Sequence, residues 1–185
     1  MKTIKIQLIT LLAALVIGVS GASAASAVTP SSPSQGRIAK QVRHELLTLP
    51  YYGVFDNLAY KVDGNSVTLY GQVVHPTTRT DAQARVARIP GVSRVVNNIS
   101  VLPLSSFDNS IRVRTYHAIA RTGGLNRYLM GANPSIHIVV DRGRVTLEGV
   151  VSTNVDRQLA YMAANQVPGV FSVTNNLRLD REMPS

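Results

Sequence analysis

Val67-Thr68-Leu69-Tyr70-Gly71-Gln72-Val73 returns later in the chain as Val145-Thr146-Leu147-Glu148-Gly149-Val150-Val151, and that echo decides the fold. Working outward, Ile89-Pro90-Gly91-Val92 returns as Val167-Pro168-Gly169-Val170, and Asn97-Asn98 as Asn175-Asn176. Every pair is offset by 78 residues, and no gap is needed from Val67 to Val101. Thirteen of those 35 positions are identical, where chance would give about two or three, so the chain holds a duplicated module.

Each copy carries the same order of signals. Ile38, Val42, Leu46 and Leu49 recur at helical spacing before Pro50. Leu58 to Val62 alternates as a strand, Asp63-Gly64-Asn65 makes a turn, and Val67 to Val74 is a second strand. Pro76-Thr77-Thr78 opens a second helix with Thr capping and with Ala82, Val86 and Ile89 inward; Val92 to Val101 is the third strand. In the second copy the helices are Ile111 to Thr122 and Val155 to Val167, the latter with Val155, Leu159, Met162 and Val167 inward. Its strands are Ile136 to Val140, Val145 to Val151 and Val170 to Leu179, with the turn at Arg142-Gly143. The expected fold class is α+β. Two tandem αββαβ modules each form a three-stranded mixed sheet with both helices on one face, the simplest way to bury those stripes.

The expected boundaries are a signal peptide at 1–24, a Ser/Pro leader at 25–36, module one at 37–102, a linker at 103–109, module two at 110–180 and a tail at 181–185. Lys2 and Lys5 precede a 12-residue apolar run from Leu8 to Val19, and Ala22-Ser23-Ala24 offers a cleavage site; a second stands at Ala25-Ser26-Ala27. That run is too short to span a bilayer as a helix, which takes about 20 residues. No later segment reads as transmembrane, so the mature chain is expected to be exported, most simply to a periplasm. With no cysteine, no disulfide supports modules of marginal size, so the two are expected to pack together as a monomer. The net charge of +9 falls to about +7 without Lys2 and Lys5. On an exported protein, such charge points to anionic head groups rather than nucleic acid.

The element order, the V-T-L-x-G-x-V strand and the P-G-V…N-N opening of the last strand resemble the BON-domain family over nearly all of the mature chain. The resemblance implies a non-enzymatic envelope protein that attaches to phospholipid surfaces or to other envelope partners in envelope or osmotic stress.

Residue by residue, no catalytic constellation stands out, and no cofactor is expected. The four histidines lack metal-ligand spacing, and neither a nucleophile elbow nor a phosphate loop is present. Gly71 and Gly149 sit inside strands, where a glycine marks a bulge or a helix crossing close to the sheet. Gly91 and Gly169 end the second helices, and Asn97 and Asn175 are expected to bond nearby backbone. Asp63 and Asp141 are expected to shape the hairpin turns.

The contrast between copies is sought on the first helices. Aligning Ile38 with Ile111 sets Val113, Tyr116 and Ala120 of module two against Lys40, Arg43 and Leu47 of module one. Arg112, Arg114, His117 and Arg121 stand around that apolar strip, and Arg127 follows in a Gly-rich loop. An apolar strip edged by arginines suits the head-group boundary of a membrane. The same strip suits packing against module one, or an envelope protein in a holdase role. Charge reversal at Arg114 and Arg121 is expected to abolish vesicle binding if lipid is the partner.

Overall fold

The computed structural model describes residues 33–180. The expected signal peptide, the first part of the leader and the tail lie outside the described residues. Two α+β modules follow one another. Module one runs α1 (Pro33–Leu47), β1 (Asn57–Asp63), β2 (Ser66–Val73), α2 (Pro76–Ala87) and β3 (Arg94–Val101). Module two runs α3 (Ser106–Ala120), a 3-10 turn (Leu125–Tyr128), β4 (Ile136–Asp141), β5 (Arg144–Val151), α4 (Asn154–Asn165), β6 (Ser172–Asn175) and β7 (Arg178–Leu179). In each sheet the first two strands pair antiparallel as a hairpin, and the last returns parallel to the central strand. β6 and β7 are one strand, interrupted at Asn176 and Leu177, and both lie along β5. No helix among the described residues is long and apolar enough to cross a membrane.

Alternation along the central strands explains the layers. Val67, Leu69 and Val73 of β2, and Val145, Leu147 and Val151 of β5, are buried in the two cores. Ile38, Val42, Leu46 and Leu49 are buried as the helical spacing requires, and so are Ala82, Val86 and Ile89. Both first helices start earlier than their apolar periodicity indicates. α1 takes in Pro33 to Gly36 of the leader, and α3 begins inside the linker because Ser105 caps it, accepting from the Asp108 amide at 3.1 Å. On α2 the N-cap is His75 without a side-chain bond, so the expected threonine cap is absent.

Leu159 and Val167 pack inward as expected, but the other two positions assigned to the buried face of α4 do not. Val155 is 67 % exposed and Met162 is also exposed, while Asp156, Ala160, Ala163 and Ala164 are buried. The small alanines bring the helix close to the strands. Asp156 turns inward because Thr153, Tyr128 and Arg127 all donate to its carboxylate.

Two glycines fix the hairpins. Gly71 and Gly149 have φ of +116° and +115°, and a Cβ on either would collide with the backbone carbonyl of Asn57 or Ser135. The close approach is made by the neighbouring strand rather than by a helix. Asn97 and Asn175 repeat one brace: each amide donates to a helix carbonyl (Arg79, Arg157) and each carbonyl accepts from the strand (Ile99, Leu177).

Module one covers the outer edge of β4. The Ile138 amide donates to Val54 at 2.7 Å, Val54 and Phe55 pack on the module-two core, and the Phe55 ring meets Tyr116 edge-on. His137 joins the same seam, 3.2 Å from the Gly53 carbonyl and 3.4 Å from the Tyr52 hydroxyl. A carbonyl only accepts, so Nδ1 carries the proton and Nε2 accepts from Tyr52. Burial lowers the His137 pKa and raises that of Tyr52 to about 12. Unfolded histidine binds its proton near pH 6.5, whereas the folded state binds it only at lower pH. Stability is therefore full above about pH 6.5 and falls as the pH drops toward the folded-state value. Burial raises the pKa of Asp56, whose opposite contribution begins nearer the carboxylate range. Urea midpoints should fall between pH 7.5 and 5.5 in the native chain and fall less in His137→Gln; parallel curves would contradict this.

Candidate functional site

The turn of the β4–β5 hairpin is held from below. Asp108, buried on α3, accepts from the Arg142 amide at 2.9 Å and the Gly143 amide at 2.8 Å. This carboxylate, not Asp141, shapes the turn; Asp141 lies 3.8 Å from the Arg142 guanidinium. Arg142 adopts φ +49° and Gly143 φ +75°. The held turn meets the start of α3 and the loop after α4. The Phe171 amide donates to the Gly143 carbonyl at 2.8 Å. A Cβ on Gly143 would touch Phe107 at 3.5 Å, and one on Gly169 would touch Phe107 at 3.4 Å and Arg114 at 3.6 Å, so bare backbone supports the ring.

Two aromatic rings thus stand at one end of module two. Phe171 is 77 % exposed and Phe107 55 % exposed. The Arg144 guanidinium lies 5.6 Å from the Phe171 ring centre, and Arg114 and Arg142 are exposed nearby. Module one makes the matching bond there, the Ser93 amide donating to Asn65 at 2.8 Å, but its turn has positive φ at Gly64 alone, where module two has it at both Arg142 and Gly143. Its side chains differ: Ser93, Ser66 and Gly64 stand where module two has Phe171, Arg144 and Arg142.

The strip expected on α3 is divided. Arg112 is a correction: only 3 % exposed, it donates to the Val140 carbonyl at 2.8 Å inside the module. Burial pulls its pKa down, opposed by Asp108, Asp56 and Asp141. Tyr116 is half-buried against Phe55, and Ala120 is half-buried. Val113 is 41 % exposed, and Arg114, His117 and Arg121 are exposed. Arg127 leans over the Tyr128 ring at 4.5 Å and pairs with Asp156 at 3.0 Å, which makes it a brace for α4. Against the burial that would raise it, bonds from Thr153, Tyr128 and Arg127 hold the Asp156 carboxyl below its ordinary pKa.

A family model for the BON domain matches residues 34–103 and again 108–181. The chain belongs to the BON-domain family. Its two BON domains are binding modules of a non-enzymatic class found in envelope-associated proteins. A search of curated proteins returned no match. Among solved structures, the C-terminal domain of CdsD, the structural protein of the type III secretion system of Chlamydia trachomatis, is 9 % identical over 78 % of this chain and 96 % of that one, with a TM-score of 0.31. A second CdsD structure is 10 % identical over 80 % and 93 %, with a TM-score of 0.27. At these scores neither likeness carries an argument. What distinguishes the second BON domain is its hairpin end, where Phe107 and Phe171 stand among Arg114, Arg142 and Arg144.

Proposed function

We propose that this chain is an exported envelope protein whose second BON domain attaches reversibly to anionic phospholipid through its hairpin end and the Arg114 side of α3. One observation carries the reading. At equivalent positions one exposed ring and two arginines, Phe171, Arg142 and Arg144, replace Ser93, Gly64 and Ser66 of the first domain, and Phe107 and Arg114 stand beside them. Rings of this kind enter the head-group boundary while guanidinium groups stay with phosphate. The BON domain is itself described as phospholipid-binding in envelope and secreted proteins, which supports the assignment. Export through residues 1–24, a periplasmic location and action in envelope or osmotic stress belong to the same proposal.

The strength follows from the count. Each arginine near an anionic surface contributes about 1 kcal/mol, and a partly inserted phenylalanine about 1.5 kcal/mol. The sum suits recruitment and release rather than permanent anchoring. Cosedimentation of the full chain with anionic vesicles should fall steeply between 50 and 500 mM salt, as the Debye length shrinks to a few Å. Neutral vesicles should bind little. Binding that ignores both salt and lipid charge would favour a protein partner instead.

A further inference from the structure

The two domains also differ between their helices. The first helices superpose with an offset of 73 residues, since Thr48 donates to His44 and Arg121 to His117 through the same backbone bond of 3.1 Å. The second helices keep the offset of 78. In the first domain Glu45 of α1 and Arg85 of α2 face each other at 3.6 Å, and Arg85 also reaches the Thr48 carbonyl at 3.4 Å. This ion pair bridges the two helices. In the second domain both partners are alanine, Ala118 for Glu45 and Ala163 for Arg85.

The paired loss leaves a groove of about 460 Å³ between α3 and the end of α4, within the range of small-ligand sites. Arg114, His117 and Arg121 line one wall, one helical turn apart; Gln166 lines the other, and no acidic residue lines either. Three nitrogen-bearing donors on a common face, with alanine floors and no internal carboxylate, are the chemistry that recognises an oxyanion.

We infer that this groove binds a phosphate-type oxyanion, either free or as the phosphomonoester of a lipid headgroup. The inference shares Arg114 with the membrane reading, but it rests on the deleted ion pair and not on the exposed rings. Guanidinium groups at positions 114 and 121 present forked donors to phosphate oxygens, while His117 and Gln166 add a ring nitrogen and an amide.

The native full chain should bind inorganic phosphate saturably in isothermal titration, with ionic strength held constant by chloride. Ala118→Glu with Ala163→Arg restores the bridge of the first domain and should weaken binding by about tenfold or more. Should that pair fail to fold, Arg121→Gln alone should show the same direction of loss. Vesicles of phosphatidic acid and of phosphatidylglycerol, matched in surface charge, separate the two sources. A preference for phosphatidic acid that the double substitution removes assigns the groove to a headgroup; equal partition with intact phosphate binding assigns it to free phosphate. No saturable binding by the native chain, or binding unchanged in both variants, overturns the inference. Variants that lose phosphate yet still sediment with phosphatidylglycerol would show the groove and the hairpin end to be independent.

Discussion

Gly149→Ala is expected to destabilise the chain by about 3–5 kcal/mol, lowering the melting temperature by roughly 10 °C. Two costs combine. An L-residue at φ +115° gives up about 1–2 kcal/mol. The new Cβ then meets the Ser135 carbonyl, a backbone atom that moves only if β4 shifts. Gly71→Ala should behave alike against Asn57. Gly131→Ala is the control: its φ is +94°, but a Cβ there meets nothing within 4 Å, so only the conformational cost of about 1–2 kcal/mol remains. Equal melting of Gly149→Ala and Gly131→Ala would contradict the strand-approach account.

The second large effect concerns attachment. Arg142→Gly, Arg144→Ser and Phe171→Ser together give module two the hairpin end of module one. The first domain already carries these residues at the equivalent positions, so the triple variant should fold; glycine also relieves the positive φ at position 142. Two arginines and one ring are removed from the proposed contact, worth about 3–4 kcal/mol in all, or several-hundred-fold in partition to anionic vesicles. Partition within a factor of two or three of the native chain would sink the assignment of this surface.

Much of the architecture was legible in the repeat. Pairing Val67 with Val145 brought both hairpins, both second helices and the parallel return strands into correspondence, because alternation and turn chemistry are local signals. Where tertiary contacts override periodicity, the reading failed. Arg112 and Asp156 look like solvent-facing charges in sequence, yet each is turned inward by partners far away in the chain, Val140 for one and Tyr128 for the other. Val155 and Met162 satisfy a helical spacing, but α4, capped by Thr153, leaves both exposed.

The candidate site was half visible. The contrast between the copies on the first helices is partly used up within the protein, because Tyr116 faces Phe55. The stronger contrasts lay in the stretch already aligned: Phe171 against Ser93, Arg144 against Ser66, and Ala163 against Arg85. Single-position differences in loops and at strand ends carry no period, so their meaning appears only once the fold brings them to one place.

The chain contains no tryptophan, which makes Phe171→Trp a single optical reporter at the centre of the proposed contact. On adding anionic vesicles its emission should shift to the blue and be quenched by brominated acyl chains, and 500 mM salt should reverse both changes. A reporter at Tyr70→Trp in module one should not respond. Emission from position 171 that stays solvent-like while the protein sediments with the vesicles would contradict insertion at the hairpin end.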